Sequence, residues 1–256
     1  MIWIRNLIYW LLLLIVTPLC FLGLFIAAPL PRRTRHVFGE SWAKIMLWLL
    51  VHVVGLKYKV IGAENIPSEP SIICSKHQSG WETLALQKIF PSQIYVAKRE
   101  LLWLPFFGWG LALMNPIAIN RSDRSRANDR MLQQGLERKK HGFWITVFPE
   151  GTRTKPGVAG KYKHGAARMS RQLEMPLVPV AHNAGEFWPR NAFLKYPGEI
   201  TVVIGPAIRP QDGVGPEAMT QQAQQWIEAQ QREIGGVGPF AHPDDKRRRL
   251  DHPAAA

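Results

Sequence analysis

The sequence is poor in cysteine and in acidic residues. Only two of its 256 residues are cysteines, Cys20 and Cys74, and both lie in apolar stretches. So few thiols exclude a disulfide scaffold and favour a reduced, cytosol-facing compartment. Aspartate and glutamate number 19 against 32 lysines and arginines, which gives a net charge of +13 and a pI near 10.1. A charge of this size predicts an anionic partner, either nucleic acid or an anionic membrane surface.

Several functional motifs are also missing. The sequence contains no Gly-x-Ser-x-Gly nucleophile elbow and no internal repeat. Its histidines show no zinc-type pairing such as His-Glu-x-x-His, so we expect no bound metal. No nucleic-acid-binding module is recognisable either. Because a long apolar segment is present, we expect anionic membrane lipids rather than nucleic acid as the partner.

Residues 7–30 form an almost unbroken apolar run of 24 residues. At about 1.5 Å per residue, a helix of this length can cross or enter a hydrocarbon core roughly 30 Å thick. A signal peptide is the competing interpretation, although its apolar part usually has only about 7–15 residues. Arg5 precedes the run, whereas Arg32, Arg33 and Arg35 follow it. This bias predicts a protein of the inner or plasma membrane whose remaining chain faces the cytoplasm.

A second apolar stretch, residues 45–56, is too short to span a membrane. With the first run it could form a hairpin embedded in one leaflet, where Pro18 would allow a kink, or it could lie along the interface. A core helix of the domain that follows is the alternative. Whether the first helix spans the membrane or dips into one leaflet stays open.

From residue 57 onward, short apolar runs alternate with helical patterns. Predicted strands cover residues 58–61, 71–75, 93–97, 116–119, 143–148, 177–181 and 200–204. Predicted helices cover residues 81–90, 101–114, 126–140, 165–173 and a Gln-rich segment at 218–232. This alternation predicts an α/β fold with a largely parallel central sheet flanked by helices, preceded by the N-terminal membrane-embedded helical segment.

A polar segment, residues 76–82, follows the predicted strand 71–75 without a spacer. It places His77 at the carboxyl end of the strand and Glu82 in the first turn of the next helix. Ligands of open α/β sheets bind at this edge. A histidine beside a carboxylate is the minimal general base, because the carboxylate fixes the tautomer and stabilises the imidazolium. The alternative is a capping box, Ser-x-x-Glu from Ser79, in which Glu82 only closes the helix start; the two roles are compatible.

Three cationic side chains are expected at the same edge. The run Phe-Pro-Glu-Gly-Thr-Arg at residues 148–153 ends the strongest predicted strand, and its tight turn delivers Arg153. Lys98 ends another predicted strand, and Arg121 follows a third. A guanidinium group can bind a phosphate through two parallel hydrogen bonds. The shared position of these residues predicts a phosphate site near His77.

An ordered series of motifs resembles the glycerolipid acyltransferases of the 1-acylglycerol-3-phosphate acyltransferase type. The series comprises His-x-x-x-x-acid at 77–82, Lys-Arg-Glu-Leu at 98–101, Ile-Asn-Arg at 119–121, Phe-Pro-Glu-Gly-Thr-Arg at 148–153 and Val-Pro-Val at 178–180. The likeness extends over residues 58–208. It implies acyl transfer from a thioester, acyl-CoA or acyl-carrier protein, to the free hydroxyl of a lysophospholipid, without a cofactor.

The resemblance also implies roles for single residues. His77 would be the base and Glu82 its partner. Arg121 of the middle motif and Arg153 of the Glu-Gly-Thr-Arg turn would hold the acceptor's phosphate. The expected substrate-binding set also includes Lys98, Glu150, Gly151 and Thr152. The sequence departs from the family pattern at the first motif, where Lys76 replaces the usual Asn and Glu82 the usual Asp. Another lysolipid acceptor, a transacylase reaction and a basic membrane-binding protein without catalysis are the alternatives.

The domain boundaries follow from these patterns. We expect membrane-associated helices in residues 1–56, the acyltransferase domain in 57–240, and a disordered basic tail in 241–256 that includes Lys-Arg-Arg-Arg at 246–249. Electrostatic attachment of this tail to the membrane is a further possibility. The apolar residues 101–109 either line an acyl channel or pack on the sheet. Donor type, chain length and acceptor head group stay open.

Overall fold

A seven-stranded sheet flanked by helices forms the centre of the molecule. The computed structural model describes residues 1–119, 124–211 and 214–251. The strands are β1 (Leu56–Ile61), β2 (Ile72–Ser75), β3 (Gln93–Lys98), β4 (Ile117–Ile119), β5 (Trp144–Val147), β6 (Leu177–His182) and β7 (Gly198–Ile204). Their order is β1-β7-β6-β2-β5-β3-β4. Every neighbouring pair is parallel except β6 and β7, which are antiparallel. The predicted α/β fold with a largely parallel sheet is confirmed.

Both faces of the sheet are covered, which explains why its central strands read as continuous apolar runs. Every residue of β2, β5 and β6 is buried, including the polar His182 at the end of β6. Successive side chains of a strand point to opposite faces. Accordingly Ile73 belongs to a core cluster with α1, α2 and α3, whereas Ile72 and Cys74 belong to a second cluster on the other face.

Eight α-helices surround the sheet in the described part of the chain. They are α1 (Ile2–Ile26), α2 (Arg32–Leu49), α3 (Trp81–Ile89), α4 (Phe107–Leu113), α5 (Arg124–Lys140), α6 (Gly165–Leu173), α7 (Pro216–Ile234) and α8 (Pro243–Asp251). The prediction of one continuous helix over residues 101–114 is wrong, because the helix is interrupted in the middle of this range. A 3₁₀ turn, Arg99–Trp103, is separated from α4 by Pro105 and by Phe106, whose φ is 59°. Proline cannot continue a helix, so the chain bends there.

Helix α2 differs from the sequence prediction of a short apolar segment at 45–56. It begins at Arg32 and continues through a π-helical turn, Leu50–Val54, so that 23 residues are helical. Both α1 and this extended helix are long and apolar enough to cross a membrane. One face of this extended helix is part of the domain core, because Met46, Leu47 and Leu50 are buried in the same core cluster as Ile73 of the sheet. The core-helix alternative is therefore correct for that face.

Helix α1 lies along the domain. At its start, Asn6 and Lys195 exchange two hydrogen bonds, from Asn6 Nδ2 to the Lys195 carbonyl at 2.9 Å and from the Lys195 amide to Asn6 Oδ1 at 2.8 Å. Near its end, the Phe21 ring lies 5.8 Å from the ring of Phe106. The opposite face of α1 exposes only apolar side chains, among them Trp3, Ile4, Leu7, Leu11, Leu14, Ile15, Leu22 and Phe25.

The C-terminal segment also differs from the sequence prediction, which expects disorder over 241–256. Helix α8 is docked on the end of α7: Arg248 Nη1 donates to the Arg232 carbonyl at 3.1 Å, and Arg249 Nε donates to the Gly235 carbonyl at 3.1 Å. Cations at a helix C-terminus bind its unpaired carbonyl groups. This interaction gives order to a segment whose composition alone predicts none. Residues 252–256 lie outside the described residues.

Candidate active site

His77 and Glu82 form a hydrogen-bonded pair at the carboxyl end of β2. His77 Nδ1 donates to Glu82 Oε1 at 2.8 Å. The same oxygen accepts the backbone N–H groups of Gln78 at 3.0 Å and Ser79 at 2.9 Å, and the Glu82 side chain is fully buried. Because Nδ1 carries the shared proton, Nε2 of His77 keeps a lone pair. The imidazole is thus oriented to accept a proton from a group on its far side.

Glu82 is held as a carboxylate. Burial by itself raises its pKa, but His182 and the hydrogen bonds from His77 and the Ser79 amide outweigh burial, so that the pKa of Glu82 lies below its usual value. A carboxylate that accepts several N–H bonds is stabilised in its charged form. An ionised Glu82 therefore faces His77 at neutral pH and favours the imidazolium that proton uptake would create.

The capping interpretation of Glu82 describes the same geometry. Ser79 Oγ accepts the Trp81 amide at 3.1 Å, and Glu82 accepts the Ser79 amide through both of its oxygens, at 2.9 and 3.0 Å. The bond from the Ser79 amide to Glu82 is the one that a capping box requires, whereas the Ser79 hydroxyl accepts the amide one residue before the capping-box position. The capping bonds fix the carboxylate, and the fixed carboxylate orients His77, so the two interpretations coexist.

His182 is a polar neighbour of this pair that the sequence interpretation does not single out. It ends β6, which pairs with β2, and its Nε2 lies 2.9 Å from the Lys76 carbonyl and 4.0 Å from Glu82 Oε2. Its Nδ1 accepts the Ala184 amide at 3.3 Å, so the proton of the neutral ring resides on Nε2. Burial lowers the pKa of His182 and keeps the ring neutral. A polar residue at the end of a strand next to β2 is the signal that could have identified it.

Glu150, predicted to bind the substrate, lies beneath the site instead. Its carboxylate accepts a hydrogen bond from Lys76 Nζ at 2.7 Å and another from the His77 amide at 3.0 Å, and the side chain is about 1% exposed. Lys76 Nζ also donates to Glu228 on α7 at 2.8 Å. A buried carboxylate whose acceptor positions are filled internally cannot bind a phosphate. The Glu-Gly-Thr-Arg turn uses Glu150 to hold the backbone of His77.

A cavity of about 850 Å³ adjoins the His77 ring. The ring lies flat on Phe148, with 4.0 Å between centroids and 14° between planes. Of the predicted substrate-binding residues, Lys98, Gly151 and Arg153 line this cavity. Thr152 is exposed outside it, where its hydroxyl accepts Arg190 Nη1 at 3.3 Å. Arg121 lies outside the described residues.

The polar end of the cavity is cationic. The Nε of Arg153 is buried and has no hydrogen-bond partner within the described part of the chain. Lys163 Nζ would be only 3.0 Å from a Cβ added to Gly151, which places the two residues side by side. Helix α6 starts at Gly165 on the same wall and adds unpaired amide groups. Lys161, Lys163 and Arg168 are cations of this wall that sequence reasoning missed, because they come from an irregular loop and the helix after it.

The other end of the cavity is apolar and lies between the N-terminal helices and α4. Its lining comes from α1 (Cys20, Phe21, Leu24), α2 (Phe38, Gly39, Trp42) and the segment around α4 (Leu101, Phe106, Phe107, Gly110, Leu111, Met114). Some residues of segment 101–109, namely Leu101, Phe106 and Phe107, thus line the cavity. Others only pack, such as Gly108, where an added Cβ would lie 2.3 Å from the Leu101 carbonyl oxygen. The cavity can take an anionic head at one end and a chain of methylene groups at the other.

The cysteines and possible metal ligands of the described residues complete the chemistry. The Cys74 thiol is buried in β2, and burial raises its pKa to about 12, so it is not a nucleophile at neutral pH. Among the residues that the structure describes, no three His, Cys, Asp or Glu side chains cluster as metal ligands do. What the site offers is a base, a set of cations and an apolar channel.

The comparisons with known proteins agree with this chemistry. The family model described as Acyltransferase matches residues 57–183. The 1-acyl-sn-glycerol-3-phosphate acyltransferase of Pseudomonas aeruginosa is 44% identical over 228 residues, which cover 87% of this chain and 88% of that protein. The human 1-acyl-sn-glycerol-3-phosphate acyltransferase alpha is 29% identical over 188 residues, 72% of this chain and 66% of that protein.

A solved structure has a similar fold. The 1-acyl-sn-glycerophosphate (LPA) acyltransferase PlsC from Thermotoga maritima aligns with a TM-score of 0.74 at 22% sequence identity. The alignment covers 91% of this chain and 98% of that chain. At this identity the likeness concerns the fold.

Proposed function

We propose a specific reaction for this chain, which belongs to the acyltransferase family and is an enzyme of the 1-acylglycerol-3-phosphate O-acyltransferase type. It moves an acyl group from a thioester donor to the free hydroxyl of 1-acylglycerol-3-phosphate. The product is phosphatidic acid. One observation supports the proposal above all: His77, which is hydrogen-bonded to the buried Glu82, lines a cavity that is cationic at one end and apolar at the other.

In the proposed mechanism His77 is the general base and Glu82 is its positioning partner. The acceptor hydroxyl gives its proton to His77 Nε2 while its oxygen attacks the thioester carbonyl carbon. The tetrahedral intermediate then expels the thiolate, and the imidazolium returns the proton to the sulfur. A positioned general base contributes about 10²- to 10⁴-fold to the rate. The remaining acceleration comes from holding both substrates in one cavity.

The phosphate of the acceptor is proposed to bind at the cationic end. Arg153 is the main ligand, because its buried Nε lacks a partner in the described structure. Lys163 and Lys98 add charge from the cavity wall, and the backbone of Gly151 lets the phosphate approach closely. Arg121 is proposed as a further ligand from the sequence pattern alone. Glu150 and Thr152 are not proposed as phosphate ligands, because Glu150 binds Lys76 and the His77 amide and Thr152 binds Arg190 outside the cavity.

The donor's acyl chain is proposed to occupy the apolar end, between α1, α2 and α4. Acyl-CoA and acyl-carrier protein both fit this arrangement, since each presents a thioester on a flexible arm. Direct transfer requires no acyl-enzyme. We therefore expect that incubation with the donor alone leaves no stoichiometric ester or thioester on the protein, as read by intact mass spectrometry.

Helices α1 and α2 are proposed to dip into one leaflet of the membrane rather than span it. Helix α1 contacts the catalytic domain at both of its ends, through Asn6 and through Phe21, so it cannot leave the domain to cross a bilayer. Its outward face is apolar and suited to the acyl region of lipids. We propose the cytoplasmic side of the inner or plasma membrane. Leu11→Glu, on the outward face, should release the full chain from vesicles in a flotation assay.

The test of function is a panel of acceptors with purified full-length protein. Lysophosphatidate, lysophosphatidylglycerol and lysophosphatidylcholine are each offered with oleoyl-CoA and with oleoyl-acyl-carrier protein, and products are measured by mass spectrometry. We expect phosphatidate to form fastest and His77→Ala to abolish its formation. His52→Ala, whose exposed ring contacts Trp48, is the matched control and should stay active. A preference for lysophosphatidylcholine would contradict a site built for a phosphate monoester.

A further inference from the structure

A second cavity, of about 340 Å³, adjoins the site on another side of Arg153. Arg153 lines this cavity as well as the larger one, so its guanidinium group lies where the two meet. Trp10 of α1, Trp188, Phe193 and the backbone of Gly80 form most of the remaining wall. No acidic side chain of the described residues lines it. The wall thus combines three aromatic rings with two polar side chains, Arg153 at the junction and Asn191.

The aromatic walls are fixed by hydrogen bonds to one loop. Trp10 Nε1 donates to the Phe193 carbonyl at 3.1 Å, and Trp188 Nε1 donates to the Ala192 carbonyl at 3.2 Å. The Trp10 ring also stacks on Phe193, with 5.5 Å between centroids. Because both indole N–H groups are satisfied, the ring surfaces that remain accept an apolar ligand. A pocket that is formed before the ligand arrives binds it without an ordering cost.

Lys195 holds the two indoles together from behind. Its Nζ lies 3.7 Å from the Trp10 ring centre, 4.5 Å from Trp188 and 4.6 Å from Tyr9, and it donates to the Phe193 carbonyl at 3.2 Å. The ring faces favour the ammonium form, while burial lowers the pKa of Lys195 to about 7. Together with the two hydrogen bonds between the Asn6 side chain and the Lys195 backbone, this contact fixes α1 as one wall of the second cavity.

The rim of this cavity continues into the apolar face of α1. Trp3 is 65% exposed, Leu7 is 54% exposed and Phe193 is 50% exposed. The proposed reaction brings together two lipids, and each carries an acyl chain of its own. The apolar end of the larger cavity serves the donor chain, so the chain that the acceptor already carries needs another place. The second cavity offers that place beside the phosphate ligand.

We propose that the second cavity binds the glycerol ester and the 1-acyl chain of the acceptor, with the part of the chain beyond a hexanoyl length contacting Trp10 before it leaves along α1 into the membrane. This inference rests on the proposed function and names the acceptor's subsite within it. Arg153 then holds the acceptor's phosphate from the junction, and the free hydroxyl projects into the larger cavity toward His77. Acceptor and donor reach the reaction from different sides.

The test compares acceptors that differ only in the length of the 1-acyl chain. Full-length Trp10→Ala is assayed with 1-hexanoyl and 1-oleoyl lysophosphatidate at a fixed oleoyl-CoA concentration and a fixed mole fraction of detergent. We expect the KM for the oleoyl acceptor to rise about tenfold, because one large apolar contact is lost. The KM for the hexanoyl acceptor and the KM for oleoyl-CoA should change less than about twofold.

Trp3→Ala is the matched control. Trp3 lies on the same helix and stacks on the same Phe193 ring at 6.4 Å, but it does not line the cavity. If both variants raise the KM for the oleoyl acceptor equally, membrane partitioning explains the effect and the subsite is refuted. Equal changes for hexanoyl and oleoyl acceptors refute it too.

A second variant adds bulk and removes no packing. Ala192→Leu extends a side chain into the cavity and keeps the carbonyl that accepts Trp188 Nε1. It should raise the KM for the oleoyl acceptor more than that for the hexanoyl acceptor, and an unchanged KM would count against the subsite. Failure of the proposed function looks different, because the parent enzyme itself would then form no phosphatidate.

Discussion

Lys76 Nζ lies 2.8 Å from Glu228 Oε1, so the segment that carries His77 is tied to a helix 152 residues further along the chain. The same ammonium group binds Glu150 at 2.7 Å, and its side chain is only 1% exposed. The family resemblance places asparagine at this position. This protein therefore uses a buried charge cluster where its relatives' pattern has a neutral side chain, and Glu228 belongs to the support of the active site.

Lys76→Asn should destabilise the protein by about 3–5 kcal/mol, because it leaves two carboxylates buried without a cation. Lys76→Asn/Glu228→Gln should recover part of this loss, since one of the two charges is then gone. The free energy of unfolding is measured by chemical denaturation in detergent. Lys59→Asn, which breaks the half-exposed pair with Glu199 at 3.2 Å, is the control and should cost less than about 1 kcal/mol. A double variant no more stable than Lys76→Asn would show that Glu228 carries no charge there.

Glu82→Gln should keep the helix cap but lose the charge that stabilises the His77 imidazolium. A glutamine oxygen can accept the amide bonds now made to Oε1, so stability should stay within about 1 kcal/mol of the parent. Activity should fall at least about tenfold. Glu82→Asp, the usual residue of the family pattern, should keep more activity than the glutamine variant. Full activity of Glu82→Gln would show that the Glu82 carboxylate acts only as a helix cap.

Arg153→Ala should raise the KM for lysophosphatidate about 10- to 100-fold, because a hydrogen bond to a charged group contributes roughly 1.5–3 kcal/mol. The KM for oleoyl-CoA should change little. Arg190→Ala is the control, since Arg190 is bonded to Thr152 on the same turn but does not line the larger cavity. An equal rise for both substrates would point to a damaged fold instead of a lost phosphate ligand.

His182 should make stability depend on pH below about 6.5, the ordinary pKa of histidine. Burial holds its folded-state pKa below the ordinary value of 6.5, so the unfolded chain binds the proton first. The contribution of His182 to the free energy of unfolding is therefore fully present above pH 6.5. It is lost as the pH falls below 6.5, with a limiting slope of about 1.4 kcal/mol per pH unit. His182→Gln, measured by denaturation at several pH values, should show a weaker fall than the parent. Parallel curves would mean that the folded protein also takes up this proton.

Gly110→Leu should shift the donor preference toward shorter acyl chains. A Cβ at Gly110 finds its nearest neighbour, Leu24 Cδ2, at 3.7 Å, so leucine fits and its outer atoms enter the apolar end of the cavity. We expect the ratio of kcat/KM for decanoyl-CoA over oleoyl-CoA to rise at least about tenfold. Gly23→Leu on α1, where an added Cβ has no neighbour within 4 Å, is the control and should leave the ratio unchanged. An unchanged ratio in Gly110→Leu would place the chain elsewhere.

The sheet could be predicted because each strand is a separate apolar run with a clear end. No predicted strand end differs from the structure by more than two residues. The break at Phe106 has a signal in the sequence, Pro105, but the prediction of one helix follows the apolar pattern that continues through residues 101–114 and overlooks it. Periodicity reports burial, and it does not report a local bend.

The site could be predicted only in part, for a physical reason. His77 and Glu82 are five residues apart, so local geometry brings them together. The position of Glu150 depends instead on Lys76 and on Glu228, which no local pattern connects. Lys163 could not be recognised as a cavity cation either, because its place is set by contact with Gly151 across an irregular loop.

The bond between Asn6 and Lys195 also sets an order of events during synthesis. The two residues are 189 positions apart, so at about 5–20 residues per second α1 leaves the ribosome roughly 10–40 s before its partner exists. During that interval the apolar helix has no domain to dock on and is a substrate for the membrane or for a chaperone. The apolar helix is therefore made well before the part of the domain on which it docks, and the hydrogen bond from Trp10 to the Phe193 carbonyl is among the last contacts to form.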